Sequence, residues 1–382
     1  MSTWPAKILV VGQTPPPFGG QAVMIQVMLE GDYGPRVRLH HVRMAFSYSM
    51  GEMGHFRFRK MLELLRVITL TVWYRLRHRA NVLYYCPAGP TRWPVLRDIA
   101  ILTSVRWMFR RTILHFHAGG VGGYYWSLPR ILRPFFRMAY WNHDVGIRVS
   151  PYSFDDPGEL HCRRTYIVPN GIADAREDYE KRASQHAPVP SREGTSEEIR
   201  LLYCGLVSEE KGFPVLLKAL ESLRAKGLAV MLRVVGEFES EGFGQHVRAF
   251  IRDVGFSERV EFLGVLTGAG KLSAFAGSDI VCIPTFVRSE NAPLVALEAM
   301  CFGLPVVATR WGGIPGVVED GVSGFLVPPR DAEALAERIE QLARDRDLRR
   351  TLGENGRGLY LDKFTVTSYH SGLRKVFLAC LA

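Results

Sequence analysis

Residues 284–327 read PTFVRSENAPLVALEAMCFGLPVVATRWGGIPGVVEDGVSGFLV, and their order of apolar runs, loop and glycines decides the fold. The apolar run Ile280–Pro284 reads as a buried strand that opens into a loop. A short apolar helix follows over Pro293–Cys301, with Pro293 suited to the first helical turn. Gly303 suits the helix stop, with Pro305 beyond it, and Pro305–Ala308 is the next strand. Strand, loop and helix N-terminus therefore meet near Asn291, Ala292, Pro293 and Leu294. The first N–H groups of a helix have no partner in their own helix, and its dipole favours negative charge, so this point suits a pyrophosphate.

Working outward, the same alternation extends in both directions. Upstream, Arg200–Cys204, Met231–Val235 and Val260–Phe262 read as strands, with helices at Pro214–Lys226, Phe243–Val254 and Lys271–Gly277. Downstream, Asp331–Arg344 is strongly helical, and a last helix is expected over Ser368–Leu381. The first half repeats the theme. Lys7–Val11 is a buried strand, a Pro/Gly loop follows at Gly12–Gly20, and a helix runs from Gln21 to Leu29. Further strands are expected at Val37–Val42, Asn81–Cys86, Thr112–Phe116 and Tyr166–Pro169, with helices at 57–78, 94–108 and 129–140. Alternating strands and helices imply doubly wound parallel sheets, here two similar α/β units in tandem. The polar stretch Asp174–Glu198 reads as the linker. The expected domains are 1–185, 186–365, and a C-terminal helix at 366–382 that crosses back to the first.

The chain has 382 residues, of which 47% are hydrophobic and 23% charged, a globular composition long enough for two cores. Its net charge of +10 is uneven. Residues 1–182 carry 25 Lys and Arg against 13 Asp and Glu, whereas residues 183–382 carry 23 against 25. Within 57–111 there are twelve basic residues and two acidic ones, Glu63 and Asp98. The first half is therefore expected to face something anionic: nucleic acid, a membrane surface or a phosphorylated acceptor. The six cysteines are scattered without a Cys-x-x-Cys and read as reduced thiols of a cytoplasmic protein. The N-terminus does not read as a signal peptide, and no run of about 18 apolar residues lacks charge. Leu62–Leu76 is apolar, aromatic and flanked by Arg and Lys, which suits an interfacial helix.

Glu290 stands just before the Asn291–Leu294 turn, and Glu298 lies one to two turns into the helix. Eight residues apart, they sit roughly 10 Å apart along one surface. One carboxylate then grips sugar hydroxyls and the other a ribose diol, with phosphates between. The plain alternative, a loop Glu and a solvent-exposed helical Glu, is what two bare glutamates would ordinarily mean. Context decides between them. The stretch resembles the C-terminal donor-binding signature of glycosyltransferase family 4, the glycogen-synthase-like retaining transferases of GT-B fold. The resemblance rests on the E-x7-E pair, the E-A-M-x-x-G-x-P-V-V-A-T run, the Gly-Gly turn and the D-G-x-x-G-x-L-V tail.

That resemblance implies two Rossmann-like domains facing a central cleft, a nucleotide-sugar donor and no catalytic metal or other cofactor. Gly205–Gly212 (GLVSEEKG) is similar to the family's phosphate loop, so Lys211 is expected to neutralise the donor diphosphate. The usual Arg of that motif is Leu206 here, which removes half of the cationic clamp. Gly236 stands in a degraded glycine-rich turn, and Phe262-Leu263-Gly264 matches an F-L-G turn that would set Val265 and Leu266 against the base. Val168–Ile172 resembles the turn that closes the first domain. Pro16–Gly20 resembles the P-x-x-G-G loop, with Gly19 and Gly20 under the donor phosphates. The resemblance also assigns His117 to the donor sugar near its anomeric carbon, Glu290 to the sugar, Glu298 to the ribose, and the Asn291–Leu294 amides to sugar and phosphate. His115 and His117 share one face of a strand end, where a metal pair or a structural cap is the rival reading.

Arg interleaved with Trp and Phe in Phe56–Lys60, Val105–Arg111 and Trp126–Trp141 suits an anionic membrane interface. The expected enzyme is thus a retaining hexosyltransferase. Its donor is a UDP- or GDP-sugar and its acceptor a lipid-linked or saccharide group, on the inner face of the cytoplasmic membrane or free in the cytoplasm. No nucleic acid is expected, since no binding module accompanies the charge. A GT-B sugar-nucleotide epimerase, a catalytically silent nucleotide-sugar-binding partner and a dinucleotide oxidoreductase are the competing readings. The last lacks a G-x-G-x-x-G after the first strand.

Overall fold

The computed structural model describes residues 6–46, 58–186 and 198–380. The chain divides into two compact units, one formed by Met1–Gly171 with Val366–Ala382, the other by Ile172–Thr365.

The first unit runs β1 (Ala6–Gly12), α1 (Gly20–Leu29), β2 (Val37–Arg43), α2 (Phe58–His78), β3 (Val82–Tyr85), α3 (Arg92–Val105), β4 (Arg111–Phe116), α4 (Arg133–Tyr140), β5 (Val145–Arg148), α5 (Asp156–Glu159) and β6 (Arg164–Ile167). All six strands pair in parallel in the order β2-β1-β3-β4-β5-β6. Parallel strands are covered on both faces, which is why β1 and β3 read as unbroken apolar runs. Leu9, Val11, Leu83, Tyr85, Leu114 and Phe116 point to one face, under α2, α3 and α4. Their neighbours one residue away point to the other face, where α1 meets α13 (Val366–Ala379). There the rings of Tyr33 and Phe377 pack edge to face at 4.9 Å, and His370 Nε2 bonds the Val27 carbonyl at 2.7 Å.

The second unit continues with α6 (Ala175–His186), β7 (Ile199–Cys204), α7 (Phe213–Ala225), β8 (Val230–Val235), α8 (Glu241–Asp253), β9 (Val260–Gly264), α9 (Gly268–Ala276), β10 (Ile280–Ile283), α10 (Leu294–Cys301), β11 (Val306–Thr309), β12 (Gly324–Val327), α11 (Ala332–Arg344) and α12 (Arg346–Lys363). Its six parallel strands lie in the order β12-β11-β10-β7-β8-β9. Period-two alternation again splits each strand, with Leu201 and Tyr203 in one core and Leu202 in the other. The two sheets therefore differ in winding. In the first the order reverses between β1 and β3, in the second between β7 and β10. Ligands of open α/β sheets bind beyond the carboxyl ends of the strands at such a reversal.

The structure corrects the expected boundary. The first unit ends at Gly171 rather than 185, and the supposed linker holds α6, which packs on α9 and α10. Its polarity is that of a helix's outer face. Lys181 and Glu177 pair at 2.6 Å, and Arg176 and Glu180 at 2.7 Å, each four residues apart. Asp174 accepts the Glu177 N–H at 3.1 Å, and Tyr179 packs on Phe302. Residues 187–197 of that stretch, and Phe56 and Arg57 of the basic-aromatic segment, lie outside the described residues. Four elements carried no expectation: β5, α5, β12 and α12. In α12 the glycines hid the helix, because Gly is a poor helix former. Gly353 is needed there for close approach, since a Cβ on it would stand 2.2 Å from the Gly303 carbonyl oxygen.

Candidate functional site

In the second unit the loops that leave β7 and β10 flank the reversal of strand order, and they are tied to one another. The Phe286 N–H donates to the Glu210 carbonyl at 2.8 Å. This brings two residues 79 positions apart into contact: Lys211 Nζ donates to Glu290 Oε2 at 2.6 Å. Thr285 Oγ1 donates to the same carboxylate oxygen at 3.1 Å. Glu290 is largely enclosed, with 12% of its side chain exposed against 32% for Lys211.

The Gly-Gly turn at 312–313 sets that loop from behind. Gly312 has φ +51, and a Cβ on it would fall 2.0 Å from the Glu290 carbonyl oxygen. The Gly313 N–H donates to that carbonyl at 3.3 Å, and Trp311 Nε1 donates to the Val287 carbonyl at 2.8 Å. Only a residue without a side chain fits this approach. Helix α10 begins at Leu294, with Pro293 as its cap rather than in its first turn as the sequence suggested. Asn291 is buried beside it, with Ala292 half-buried.

Glu298 lies on α10 and meets a partner that motif reading did not find. Lys271, on α9, donates from Nζ to Glu298 Oε1 at 2.5 Å. Burial works against the Lys271 charge, but the Glu298 carboxylate and its hydrogen bond outweigh that and hold its pKa above the ordinary value. The other oxygen, Glu298 Oε2, is buried and has no hydrogen-bond partner. The pair lies close enough to Cys204, the last residue of β7, for both charges to act on its thiol. A second cation therefore stands at the β7 end, where Leu206 replaces the motif's Arg. Leu206 instead offers its carbonyl to the Tyr203 hydroxyl at 2.6 Å. Gly205 donates its N–H to the Val235 carbonyl at 2.9 Å, and Gly236, next along, backs onto the Gly205 carbonyl. After β9, Val265 is 65% exposed and Leu266 half-buried, an apolar shelf beyond a strand end.

The first unit carries the remaining candidates. Gly19 caps α1 and Gly20 opens it. The preceding proline loop is held by Arg43, whose Nη2 reaches the carbonyls of Pro15 and Pro16 at 3.2 and 3.1 Å. Gln21 Nε2 donates to the Cys86 carbonyl at 3.1 Å, so this loop sits at the β1/β3 reversal. The rings of His115 and His117 pack at a tilt of 34° with centroids 4.0 Å apart. His115 is a core residue, fully buried, and its Nδ1 bonds the Tyr84 hydroxyl. His117 follows the end of β4. Burial lowers its pKa to about 4, with the nearby Asn170 amide opposing, so its ring is neutral at physiological pH. Neither of its ring nitrogens has a hydrogen bond of good geometry. Among the described residues, no three His, Cys, Asp or Glu side chains converge as a metal set.

The loop beyond His117 is anchored by a residue with no sequence signal. Asp156 is buried and accepts the N–H groups of Gly120 and Gly122 at 3.0 and 2.7 Å. Desolvation dominates over those bonds and lifts its pKa to about 6.

The second unit resembles known proteins. Residues 190–359 match the family Glycosyl transferases group 1. The group 1 segment covers the β7 loop, the E-x7-E pair, the Gly-Gly turn and Lys271. The chain is 35% identical over 156 residues to a D-inositol 3-phosphate glycosyltransferase of Corynebacterium jeikeium, covering 40% of this chain and 37% of the relative. It is 33% identical over 183 residues to a phosphatidyl-myo-inositol mannosyltransferase of Mycobacterium leprae, covering 48% and 45%. The chain thus spans under half the length of these relatives. Over its whole length it superposes on the crystal structure of Anabaena HepE in complex with UDP. The TM-score is 0.70 at 20% identity, covering 98% of this chain and 100% of that one. The fold is GT-B.

Proposed function

We propose that this protein is a glycosyltransferase that moves a hexose-type sugar from a UDP- or GDP-sugar to an acceptor with retention at the anomeric carbon. The observation that carries this is the pair of charged couples at the β7/β10 reversal: Lys211 with Glu290, and Lys271 with Glu298, beside the start of α10. Two cations and the first N–H groups of a helix suit a diphosphate. The unpartnered Glu298 Oε2 is a buried acceptor that a ribose hydroxyl would satisfy.

In this reading the anomeric bond to the leaving diphosphate lengthens through an oxocarbenium-like state. Lys211 and the N–H groups of Asn291, Ala292 and Leu294 take up the charge that develops on the leaving phosphate, and preorganisation makes this the largest contribution. Glu290 releases Lys211 to the phosphate and turns to sugar hydroxyls. Val265 and Leu266 receive the base, and Gly19, Gly20, Gly205 and Gly236 keep backbone close to donor phosphates. His117, held neutral, hydrogen-bonds the donor sugar. The reaction needs no metal or other cofactor. The presence of Lys271 favours an active enzyme over a silent binding partner, because it restores the second cation missing at Leu206.

For the acceptor we propose a lipid-linked or saccharide group of cell-surface polysaccharide or glycolipid synthesis, reached from an anionic membrane. The first unit carries 24 Lys and Arg against 9 Asp and Glu. Among the described residues, no helix is long and apolar enough to cross a membrane. The similarity to a mannosyltransferase named for a phosphatidyl-inositol supports a glycolipid setting.

A thermal-shift panel of UDP-, GDP- and ADP-sugars tests the donor. Stabilisation by one nucleotide class is expected, and no shift from any of them would overturn the reading. Retention is read from the anomeric configuration of the transferred sugar by NMR; an inverted product would refute it.

A further inference from the structure

A cavity of about 510 Å³ opens at the amino-terminal edge of the first sheet, opposite the strand ends that carry the candidate site. Arg111 and Thr112 open β4 there, Asp144 precedes β5 and Arg163 precedes β6, while the ends of α3 and α4 form the walls. Five arginines line it (Arg106, Arg110, Arg111, Arg137 and Arg163) against one acid, Asp144.

Three of the five are partly committed. Arg106 caps the end of α4, donating to the Met138 carbonyl at 2.8 Å. Arg111 and Arg163 share Asp144 at 3.1 and 3.4 Å. Arg137 lies 4.1 Å over the Trp141 ring, which leaves its N–H edges to donate. Arg110 is exposed; its backbone N–H donates to the Asn81 carbonyl at 3.0 Å, while its guanidinium makes no hydrogen bond to another described residue. Five positive charges, one negative and two helix C-termini of about half a charge each leave the cavity roughly +3.

The cavity does not open into an ordinary surface. Of the large hydrophobic residues exposed among the described residues, eleven of seventeen lie between Met61 and Met138. They belong to the layer of α2, α3 and α4 and its connections. On α2, Leu62, Leu65, Trp73 and Leu76 are 52–64% exposed at helical spacing. Trp107 and Met138, which line the cavity, are 75% and 53% exposed, and Ile131, just before α4, and Phe135, on α4 with Met138, are 77% and 49% exposed. The acids of that basic stretch are already engaged, Glu63 by Arg66 and Asp98 by Arg97. An apolar rim around an arginine pocket matches a phosphodiester with acyl chains attached, whereas free phosphate or a nucleic-acid backbone leaves the rim unused.

We propose that this cavity binds the phosphate of an anionic phospholipid headgroup, with Arg110 and Arg137 as the principal donors and Trp107 and Met138 against the upper acyl chain. The proposal rests on the reading that the first unit docks on a membrane, and narrows that docking to one pocket.

The test uses the full chain and soluble dihexanoyl-phosphatidylglycerol, followed by calorimetry. Binding is expected to saturate. In the variant Arg110→Ala/Arg137→Ala the affinity should fall by more than about tenfold, the loss of charge-assisted hydrogen bonds. Arg59→Ala/Arg77→Ala removes equal charge from exposed positions of α2 and should leave it unchanged. Equal losses in the two variants, or no saturable binding, would overturn the pocket. So would matching affinity for dihexanoyl-phosphatidylcholine, for inorganic phosphate or for a single-stranded oligonucleotide. Flotation with phosphatidylglycerol-containing vesicles separates membrane docking from headgroup binding in the cavity. Wild-type protein that stays unbound overturns the docking and the pocket together. Binding that persists in the Arg110/Arg137 variant sinks the pocket alone. The nucleotide-sugar thermal shift, which lives in the second unit, reports on the transferase reading independently of both.

Discussion

Removing the two halves of the Lys211–Glu290 pair should have opposite effects on nucleotide binding. Lys211 Nζ is held 2.6 Å from Glu290 Oε2, so an arriving diphosphate competes with that carboxylate for the same cation. Two unit charges 4 Å apart interact by about 4 kcal/mol at an effective dielectric of 20. Lys211 is 32% exposed, which screens the interaction toward the range of a charge-assisted hydrogen bond, about 1.5–3 kcal/mol. Lys211→Met should therefore weaken UDP or GDP binding by roughly 10- to 150-fold. Glu290→Gln removes the competitor and frees the lysine, so the same diphosphate should bind as tightly as in wild type or up to about tenfold more tightly. Turnover of the sugar nucleotide should nevertheless fall by about 100-fold or more in this variant, because a contact made as the sugar leaves is lost. Calorimetry with UDP and GDP, paired with steady-state transfer rates, separates the two quantities. If Glu290→Gln weakens the diphosphate in parallel with Lys211→Met, the competition argument is wrong. Unchanged affinity in Lys211→Met would remove the lysine from the site.

Three further outcomes follow from the geometry. Lys271→Met strands the Glu298 carboxylate, which is 21% exposed, and should cost about 1–2 kcal/mol; adding Glu298→Gln should restore most of the lost melting temperature, and no recovery would count against the pair as the cause. Gly312→Ala places a methyl 2.0 Å from the Glu290 carbonyl and should cut turnover sharply. Gly321→Ala has a similar φ, +74, with open space around it, and should cost only about 1 kcal/mol of stability, so equal activities in the two would refute the positioning role of the turn. Stability against pH should show two opposed contributions in the first unit. His117 and His143 have pKa values lowered to about 4 and about 3 by burial, so their contribution is present above pH 6.5 and is lost as pH falls toward those values. Asp156 is raised to about 6, so its contribution is present below about pH 4 and is lost as pH rises through 6. Denaturant unfolding of Asp156→Asn should therefore lose stability relative to wild type at pH 4 more than at pH 7; a constant difference across that range would contradict the assignment.

Much of this protein was legible from its sequence, and the reason is local. Buried parallel strands demand unbroken apolar runs, and KILVV, RLLYC and IVCI announce β1, β7 and β10 directly. The E-x7-E spacing, the Gly-Gly turn and the start of α10 lie within one short stretch, so a motif holds them together. What misled were places where a residue's purpose is set by a distant neighbour. The polar surface of α6 looked like linker, because nothing nearby in sequence shows that Tyr179 will pack on Phe302. The segment of α12 drew no expectation, because nothing nearby in sequence shows that Gly353 will lie against Gly303.

The amino-acid order by itself determined the two α/β halves, the loops that carry the candidate residues and the excess of positive charge in the first half. The tertiary structure alone decided which charges meet. Parallel strands are joined by long crossovers, so side chains at one strand end arrive from remote parts of the chain. Lys211 reaches Glu290 across 79 residues and Lys271 reaches Glu298 across 27. The arginines of the cavity are drawn together from helix ends and strand starts. No periodicity records such meetings, because they are made by packing between elements and not by the pattern within any one of them.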